Sequence, residues 1–308
     1  MITSISLNPS IDLTLFISNL VKGGSHRASN TRRDISGKAV NTAYALKNLN
    51  IPCQLVGFDF IENGSLLKEA LHEAGIFYDS VAAEGAMRTN VKIFEEESRQ
   101  MTEINQNGPT VPKEAVRALL EKIKNTQTDV LILSGSLPPG VDTGTYGEII
   151  KQAKAPVILD AFGPALYEGL KEKPYIIKPN LKEMEQTFNV SLPSKNDKLS
   201  AARNLLHKYD GLKAVCLSMG AEGAMIIGKE EAYFSPALDI PVRGIQGAGD
   251  SMVAGLAAEL YKNHNAPLKD LLRSAMACAA ASLIQEGTLM AKQDDFNEMI
   301  KKVEIVEV

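Results

Sequence analysis

The order of apolar and polar residues divides the chain into short strands that alternate with helices. Runs of β-branched and aromatic residues predict strands, and apolar residues at a helical period predict helices. The predicted strands are 1–7, 11–17, 26–35, 54–58, 88–95, 101–105, 129–133, 156–160, 175–177, 213–218 and 223–227. The predicted helices are 42–49, 66–74, 112–124, 143–153, 164–170, 181–187, 197–208, 250–262, 268–285 and 293–302. This alternation predicts an α/β fold with a mostly parallel central sheet and helices on both faces.

Four of the predicted strands do not suit the central sheet. Residues 26–35 are polar on both faces, and residues 88–95 alternate between apolar and polar side chains. A half-exposed sheet tolerates such sequences, whereas a buried parallel sheet does not. We therefore expect strands 11–17, 26–35, 88–95 and 101–105 to pair with one another in a small separate sheet.

A glycine turn before a buried helix is the first candidate for chemistry. It comprises Gly247, Ala248, Gly249, Asp250 and Ser251. Such a turn directs free backbone N–H groups and the positive end of the helix dipole towards one point, where an anion can bind. Asp250 adds a potential general base within the same turn. A plain capped helix, with Asp250 favouring its first turn, is the alternative.

Further polar loops follow other predicted strands. They are Ser134–Gly140, Asp160 with Gly163, Lys178-Pro179-Asn180 with Glu183, and Ser218-Met219-Gly220. Because parallel strands end at one edge of the sheet, these loops predict a binding site there. Two better-known phosphate motifs are excluded: in Gly223–Lys229 a Glu follows where a Walker loop needs Ser or Thr, and Met252 replaces the third glycine of a dinucleotide fingerprint.

Composition narrows the classes of protein. The chain has 308 residues, of which 44% are apolar and 23% charged, so we expect a packed globular protein. The net charge of −4 argues against a nucleic-acid partner. The four His and three Cys show no metal-binding spacing. Without a signal peptide or an 18-residue apolar run, we expect a cytoplasmic protein with no membrane partner.

The motifs occur in the order of a known family. They are Asn8–Asp12, Gly37-Lys38 with Asn41, Arg88–Ile93, Thr102–Asn105, Ser134–Gly140, Lys178–Asn180 with Glu183, Ser218 with Gly220, and Gly247–Ser251. In this order the chain resembles the PfkB (ribokinase-like) carbohydrate kinases, most of all the branch of 1-phosphofructokinases and tagatose-6-phosphate kinases. The resemblance implies a three-layer ribokinase-like α/β sandwich. It also implies one domain, residues 1–308, with a β-sheet lid from about 11–35 and 88–106.

The resemblance also implies a role for each site residue. Asp250 would be the general base, and the backbone of Gly247, Ala248 and Gly249 would stabilise the transferring γ-phosphoryl group. The ATP site would comprise Lys178, Asn180, Ser218, Gly220 and Gly249, with Mg²⁺ held by Asn180 and Glu183 through water. The sugar would be bound by Asp12, Gly37, Asn41 and Ser136.

A group of cations indicates the acceptor. By the resemblance, Lys38, Arg88 and Lys92, together with Asn90, match positions that bind the existing phosphate of a phosphosugar. Strand alternation places Arg88, Asn90 and Lys92 on one face, where they can converge on one anion. A solvated strand face is the alternative.

The implied reaction is the ATP-dependent conversion of fructose 1-phosphate to fructose 1,6-bisphosphate. Tagatose 6-phosphate is the rival acceptor, and a non-catalytic phosphosugar-binding regulator is the remote alternative. A homodimer through the lid is a further expectation.

Two segments depart from the branch. Ser36 and Ala39 stand where its members usually have glycine, which affects the substrate loop. Ile245-Gln246 replaces the more usual Thr-Val beside a site at which members of the family often bind a monovalent cation.

Overall fold

The computed structural model describes residues 1–244, 246–285 and 289–308. Its strands are Ile2–Ser6 (β1), Ser10–Ile17 (β2), Asn30–Ser36 (β3), Cys53–Phe60 (β4), Phe77–Ala83 (β5), Arg88–Glu95 (β6), Met101–Ile104 (β7), Val130–Ser134 (β8), Val157–Asp160 (β9), Ile176–Ile177 (β10), Ala214–Ser218 (β11), Ala224–Ile227 (β12), Ala232–Ser235 (β13) and Val306–Glu307 (β14). Its α-helices are Lys38–Asn48 (α1), Gly64–Glu73 (α2), Lys113–Asn125 (α3), Thr145–Gln152 (α4), Gly163–Lys171 (α5), Leu181–Phe188 (α6), Lys195–Lys208 (α7), Ala248–Lys262 (α8), Leu268–Leu283 (α9) and Gln293–Met299 (α10). No helix in these ranges has the length and hydropathy needed to cross a membrane.

Ten strands form the central sheet, in the order β14-β13-β12-β11-β10-β9-β8-β1-β4-β5. The strands from β11 to β5 pair in parallel, and β12, β13 and β14 extend the sheet antiparallel. The predicted mostly parallel α/β sheet is therefore confirmed. Three strands were not predicted, namely β5, β13 and β14. Two of them, β13 and β14, are short, and β5 is interrupted by the polar residues Asp79 and Ser80. Their sequences therefore lack the continuous apolar run of a central strand.

The central strands bury both of their faces. Along β8, Leu131 and Leu133 belong to one hydrophobic core, whereas Val130 and Ile132 belong to the other. The helices α2–α7 pack on the first face, and α8, α9 and α10 pack on the second. This arrangement gives three layers and explains why β8 reads as an uninterrupted apolar run.

The four strands predicted to lie outside the central sheet form a second sheet, in the order β3-β2-β6-β7. Predicted strand 26–35 begins only at Asn30. Asp12 on β2 pairs with Asn90 on the parallel strand β6, and Thr14 pairs with Lys92. Because neighbours in register point to the same face, Asp12, Asn90 and Lys92 share one side of this sheet.

The two sheets meet where the central strands end. The strands β1, β8, β9, β10 and β11 are consecutive in the central sheet, and each is followed by a polar loop. A parallel bridge between Asn180 and Ser218 brings two of those loops together. The carboxyl edge of the sheet therefore carries the candidate site, as expected for this type of fold.

Candidate active site

One cavity of about 1180 Å³ lies between the carboxyl edge of the central sheet and the small sheet. Every site residue predicted from the sequence lines it. These are Asp12, Gly37, Lys38, Asn41, Arg88, Asn90, Lys92, Ser136, Lys178, Asn180, Glu183, Ser218, Gly220, Gly247, Ala248, Gly249 and Asp250. They come from seven separate segments of the chain, so the fold brings together residues far apart in the sequence.

The glycine turn opens helix α8. Gly247 is the N-cap residue and has a φ of 75°, in the left-handed region that glycine adopts without a steric penalty. The amide of Ser251 donates to the Gly247 carbonyl (2.8 Å) and so makes the first bond of the helix. The amides of Ala248, Gly249 and Asp250 precede that bond and belong to residues that line the cavity. Free amides at a helix N-terminus are suited to binding an anion.

Asp250 is buried in the first turn of α8 and held by helix α1. Asn41 Nδ2 donates to Asp250 Oδ2 (2.8 Å), and Thr42 Oγ1 donates to the Asp250 carbonyl (3.3 Å). Burial raises the pKa of Asp250 to about 6, although the positive charge of Lys38 acts in the opposite direction. A carboxylate with this pKa is suited to accept a proton near neutral pH.

Asp160 is a residue of the predicted site to which the sequence analysis gave no role. Its carboxyl group, at the end of β9, is fully buried, lines the cavity and accepts a hydrogen bond from Ser134 Oγ (3.1 Å). Two ammonium groups, those of Lys38 and Lys178, each lie 3.3 Å from Asp160 Oδ1. Burial opposes ionisation, but the two lysines outweigh it and lower the pKa of Asp160. Its place at the end of an apolar strand was the signal in the sequence.

The ammonium of Lys38 points to the carboxylates at the end of the central sheet. Besides Asp160, it contacts Glu183 Oε1 at 3.5 Å. The sequence analysis grouped Lys38 with Arg88 and Lys92, but in the structure its partners differ from theirs. The reason is its position at the first residue of α1, whose N-terminus is fastened to Asp250.

Asp12 organises the residues of the small sheet. Its carboxylate accepts from Asn90 Nδ2 (2.9 Å) and from Lys92 Nζ (2.6 Å). Burial acts against the charge of Asp12, yet the pKa of Asp12 is lowered because Lys92 and Asn90 stabilise the ionised form. Arg88 donates from Nε to the Asn8 carbonyl (3.2 Å) and from Nη1 to the Gln106 carbonyl (3.1 Å).

Asn180 and Glu183 form a capping box at the start of α6. Asn180 Oδ1 accepts from the Glu183 amide, and Glu183 Oε2 accepts from the Asn180 amide, both at 2.8 Å. No cluster of three His, Cys, Asp or Glu suited to a metal occurs in 1–244, 246–285 and 289–308. The amide oxygen of Asn180 and the carboxylate of Glu183 fit a Mg²⁺ ion that keeps most of its water and is held chiefly by phosphate oxygens.

An apolar shelf that lines part of the cavity was not predicted. Its residues are Leu238, Ile240, Val242, Met276, Ala280 and Leu283. They come from the segment before α8 and from α9, beside the loop of Gly220. An apolar wall with nearby polar groups is typical of a site for a flat organic ring. Isolated apolar residues in an irregular segment leave no periodic signal in the sequence.

Comparison with known proteins assigns the chain to a family. A model of the pfkB family carbohydrate kinases matches residues 3–294. The chain belongs to the pfkB family of carbohydrate kinases. This kinase is 31% identical to 1-phosphofructokinase of Bacillus subtilis, with 93% of each chain covered. It is also 31% identical to tagatose-6-phosphate kinase of Staphylococcus epidermidis, with 100% of each covered.

Solved structures agree with the fold. Phosphofructokinase-2 from Escherichia coli in complex with potassium superposes with a TM-score of 0.91 at 25% identity, with 98% of each chain covered. The predicted ribokinase-like α/β fold and membership of the family are therefore confirmed. As a member of this family, the chain is a sugar kinase, which transfers a phosphoryl group to an alcohol.

Proposed function

We propose that this kinase transfers the γ-phosphoryl group of ATP to fructose 1-phosphate and forms fructose 1,6-bisphosphate. One observation carries the proposal. A carboxylate with a pKa of about 6, Asp250, shares a single cavity with the cations Arg88 and Lys92. Asp250 can activate a hydroxyl group, and Arg88 and Lys92 can bind a phosphate already on the sugar.

Asp250 would accept the proton of the attacking sugar hydroxyl. Its Oδ2 is oriented by Asn41, so its other oxygen can face the cavity. The amides of Ala248 and Gly249 would bind the oxygens on which negative charge increases during transfer. Since burial excludes water from Asp250, these hydrogen bonds act in a medium of low polarity and are strengthened.

The small sheet would hold the other end of the acceptor. Lys92 uses one N–H on Asp12, so its ammonium has further donors for a phosphate. Arg88 presents a planar guanidinium that can bind phosphate with two parallel hydrogen bonds. Asp12 would accept hydrogen bonds from the sugar hydroxyls, and Asn90 would donate hydrogen bonds to them. Gly37 (φ 119°) approaches the backbone of Pro9 so closely that a Cβ there would lie 3.1 Å from Pro9 Cα, so only glycine suits this turn.

The opposite end of the cavity would bind ATP. Lys178 would contact the phosphates, the loops of Ser218 and Gly220 the ribose, and the apolar shelf the adenine. Mg²⁺ would be held by ATP phosphates and, through water, by Asn180 and Glu183, and would neutralise phosphate charge. The expected monovalent-cation site adjoins Ile245, which lies outside the described residues, and is not part of this proposal.

Tagatose 6-phosphate is the second candidate acceptor, because a tagatose-6-phosphate kinase matches the chain over its full length. The test is a coupled assay of ADP release with fructose 1-phosphate, fructose 6-phosphate and tagatose 6-phosphate as separate acceptors. We expect kcat/KM to be at least about tenfold higher for fructose 1-phosphate, which corresponds to about 1.4 kcal/mol of transition-state binding. A higher value for tagatose 6-phosphate would reverse the assignment, and no turnover with any acceptor would contradict the kinase itself.

We also propose that residues 1–308 act as one domain with the small sheet as its lid, and that two lids pair in a homodimer. The lid face opposite the cavity carries Leu13, Leu15, Val91 and Ile93, which are only partly buried. A structure of Escherichia coli phosphofructokinase-2 is of a tetrameric form. Pairing of this apolar face would remove it from water.

Light scattering after size-exclusion chromatography tests the pairing. We expect the wild type to elute as a dimer and the Leu15→Asp variant to shift towards the monomer, because a charge would be buried in the interface. As a control, Leu289→Asp alters an exposed leucine outside the lid and should leave the dimer intact. A monomeric wild type would contradict the proposal.

A further inference from the structure

Ser36 places a hydroxyl group in the wall of the cavity, at one of the positions where members of the branch usually have glycine. It is the last residue of β3 and is only 3% exposed. The next residue, Gly37, is the N-cap of α1 and turns the chain with a φ of 119°. Ser36 therefore precedes the N-cap and Asn41 is the fourth residue of the helix, two positions whose side chains commonly meet at a helix start.

The contact between these two side chains is a hydrogen bond. Ser36 Oγ donates to Asn41 Oδ1 (3.4 Å), and Asn41 Nδ2 donates to Asp250 Oδ2 (2.8 Å). The two bonds use opposite ends of one amide group, so together they fix which end of Asn41 faces Asp250. Both bonds are buried, and a medium of low polarity strengthens them.

A second acceptor, Asp12, lies close to the Ser36 hydroxyl and can also receive a hydrogen bond from it. The Asp12 carboxylate, however, already accepts from three other side chains, those of Ser10 (3.1 Å), Asn90 (2.9 Å) and Lys92 (2.6 Å). A serine hydroxyl has one proton to donate. Because Asp12 has other donors, the proton of Ser36 is available to Asn41.

We propose that Ser36 is a positioning residue, which keeps Asn41 a hydrogen-bond donor to Asp250 in both protonation states of that carboxyl group. The proton taken from the acceptor then resides on Asp250 Oδ1, the oxygen that Asn41 does not occupy. The inference rests on the proposed function, in which Asp250 is the general base, and gives this chain's serine a role that a glycine has no side chain to fill.

The orientation of Asn41 matters most after proton transfer. The O–H bond of the acceptor breaks and its proton bonds to Asp250. An unrestrained Asn41 amide is then free to turn, so that its oxygen accepts from an O–H group on Asp250 Oδ2. The proton would be held between the two buried side chains, and the protonated form of Asp250 would be stabilised. Donation from Ser36 to Asn41 Oδ1 opposes that rotation, so the proton stays on Oδ1 and passes to solvent after the product leaves.

The charges around Asp250 do not change when Ser36 is replaced. They are the charges of Lys38 on α1, Asp160 at the end of β9 and Lys178 after β10. Burial raises the pKa of Asp250 to about 6, and the hydrogen bond from Asn41 acts against this rise. A difference between the pKa of Asp250 in wild type and in a Ser36 variant therefore reports on the hydrogen bond from Asn41.

The experiment is the pH dependence of kcat/KM for fructose 1-phosphate in wild type, Ser36→Ala and Ser36→Thr. For Ser36→Ala we expect the acid limb to move up by about 0.5 to 1 pH unit, the size of one rearranged hydrogen bond. Its kcat/KM should be roughly 3- to 10-fold below wild type near pH 5 and within about twofold near pH 8, where Asp250 is ionised in both proteins. Ser36→Thr keeps the hydroxyl and should retain the wild-type limb. Ionisation of the substrates is common to all variants and cancels in the comparison.

Ser10→Ala is the matched control, because Ser10 pairs with Ser36 across β2 and β3 but donates to Asp12 instead of Asn41. It should not move the acid limb. A double-mutant cycle with Asn41→Ala tests the route of the effect, since replacing Ser36 in that background should cause no further shift. Ser36→Gly is a second variant without the hydroxyl if Ser36→Ala does not fold.

A second readout needs no turnover. In a carbon-13 NMR titration of the carboxyl groups, the signal of Asp250 is the one that Asp250→Asn lacks, and its pKa should rise in Ser36→Ala by the same amount as the acid limb. An unchanged pKa, or an equal loss of kcat/KM at every pH, would overturn the inference and leave the proposed function standing. Absence of turnover by the wild type with any sugar phosphate would overturn the proposed function and the inference with it.

Discussion

Replacement of Asp250 by Asn is expected to lower kcat by about 10³- to 10⁴-fold, with smaller changes in the KM values, because the amide cannot accept the proton of the sugar hydroxyl. Shape and size are conserved, and the amide oxygen can still accept the hydrogen bond from Asn41. The measurement is the coupled ADP-release assay with saturating ATP and fructose 1-phosphate. Asp239→Asn, at the rim of the same cavity, is the control and should retain near wild-type kcat.

The pH profile provides a second readout of the same residue. Because the pKa of Asp250 is raised to about 6, kcat/KM of the wild type should fall about tenfold per pH unit below about pH 6. The residual activity of Asp250→Asn should lack that limb. If the protein were a regulator that binds sugar phosphate without turning it over, wild type and Asp250→Asn would both bind it tightly and would not differ in ADP release. That result would contradict the assignment of a kinase.

The same substitution is expected to stabilise the fold. The folded pKa of Asp250, about 6, exceeds the ordinary value of 3.8, so the folded state favours the protonated form. Stability from this group is therefore fully present below about pH 4 and is lost as the pH rises through 6. At neutral pH the loss is up to about 3 kcal/mol, which Asn avoids. Thermal unfolding should show a Tm a few degrees higher for Asp250→Asn at pH 7.5 and a smaller difference at pH 4.

Replacement of Arg88 by Gln is expected to raise KM for fructose 1-phosphate by about 10²-fold, with a smaller effect on kcat, because a charged bidentate contact to phosphate is lost. This factor corresponds to about 2.7 kcal/mol of binding free energy. In the free protein, Arg88 donates to two backbone carbonyls, those of Asn8 and Gln106, and the phosphate would add to these contacts.

The control for Arg88 is Arg117→Gln, because Arg117 is an exposed arginine on α3 that does not line the cavity. It should leave both constants unchanged. Arg88→Lys keeps the charge but not the planar fork, and we expect it to recover only part of the lost affinity. Equal KM values for wild type and Arg88→Gln would mean that Arg88 does not bind the acceptor phosphate. The assignment of a phosphorylated acceptor would then lose its main support.

Much of the fold could be predicted because its signals are local. The strand of residues 88–95 and the apolar strand that ends before Ser134 follow directly from alternation and from an uninterrupted apolar run. The edge strand Phe77–Ala83 was missed because the neighbours that select it lie elsewhere in the chain: β4 supplies its hydrogen bonds. Helix α1 begins at Lys38, four residues before the predicted start, because its N-terminus is held by residues of the site.

The sequence by itself determined which chemical groups the site contains: the glycine turn with Asp250, the cations Lys38, Arg88 and Lys92, and the polar ends of the strands. These follow from residue identity and spacing along a few turns of chain. Only the tertiary structure decided which of those groups contact one another. Lys38 contacts Asp160, 122 residues away, and Lys92 contacts Asp12, 80 residues away. The pairing of charges and the pKa of Asp250 depend on distance and burial, which arise when separate segments pack together.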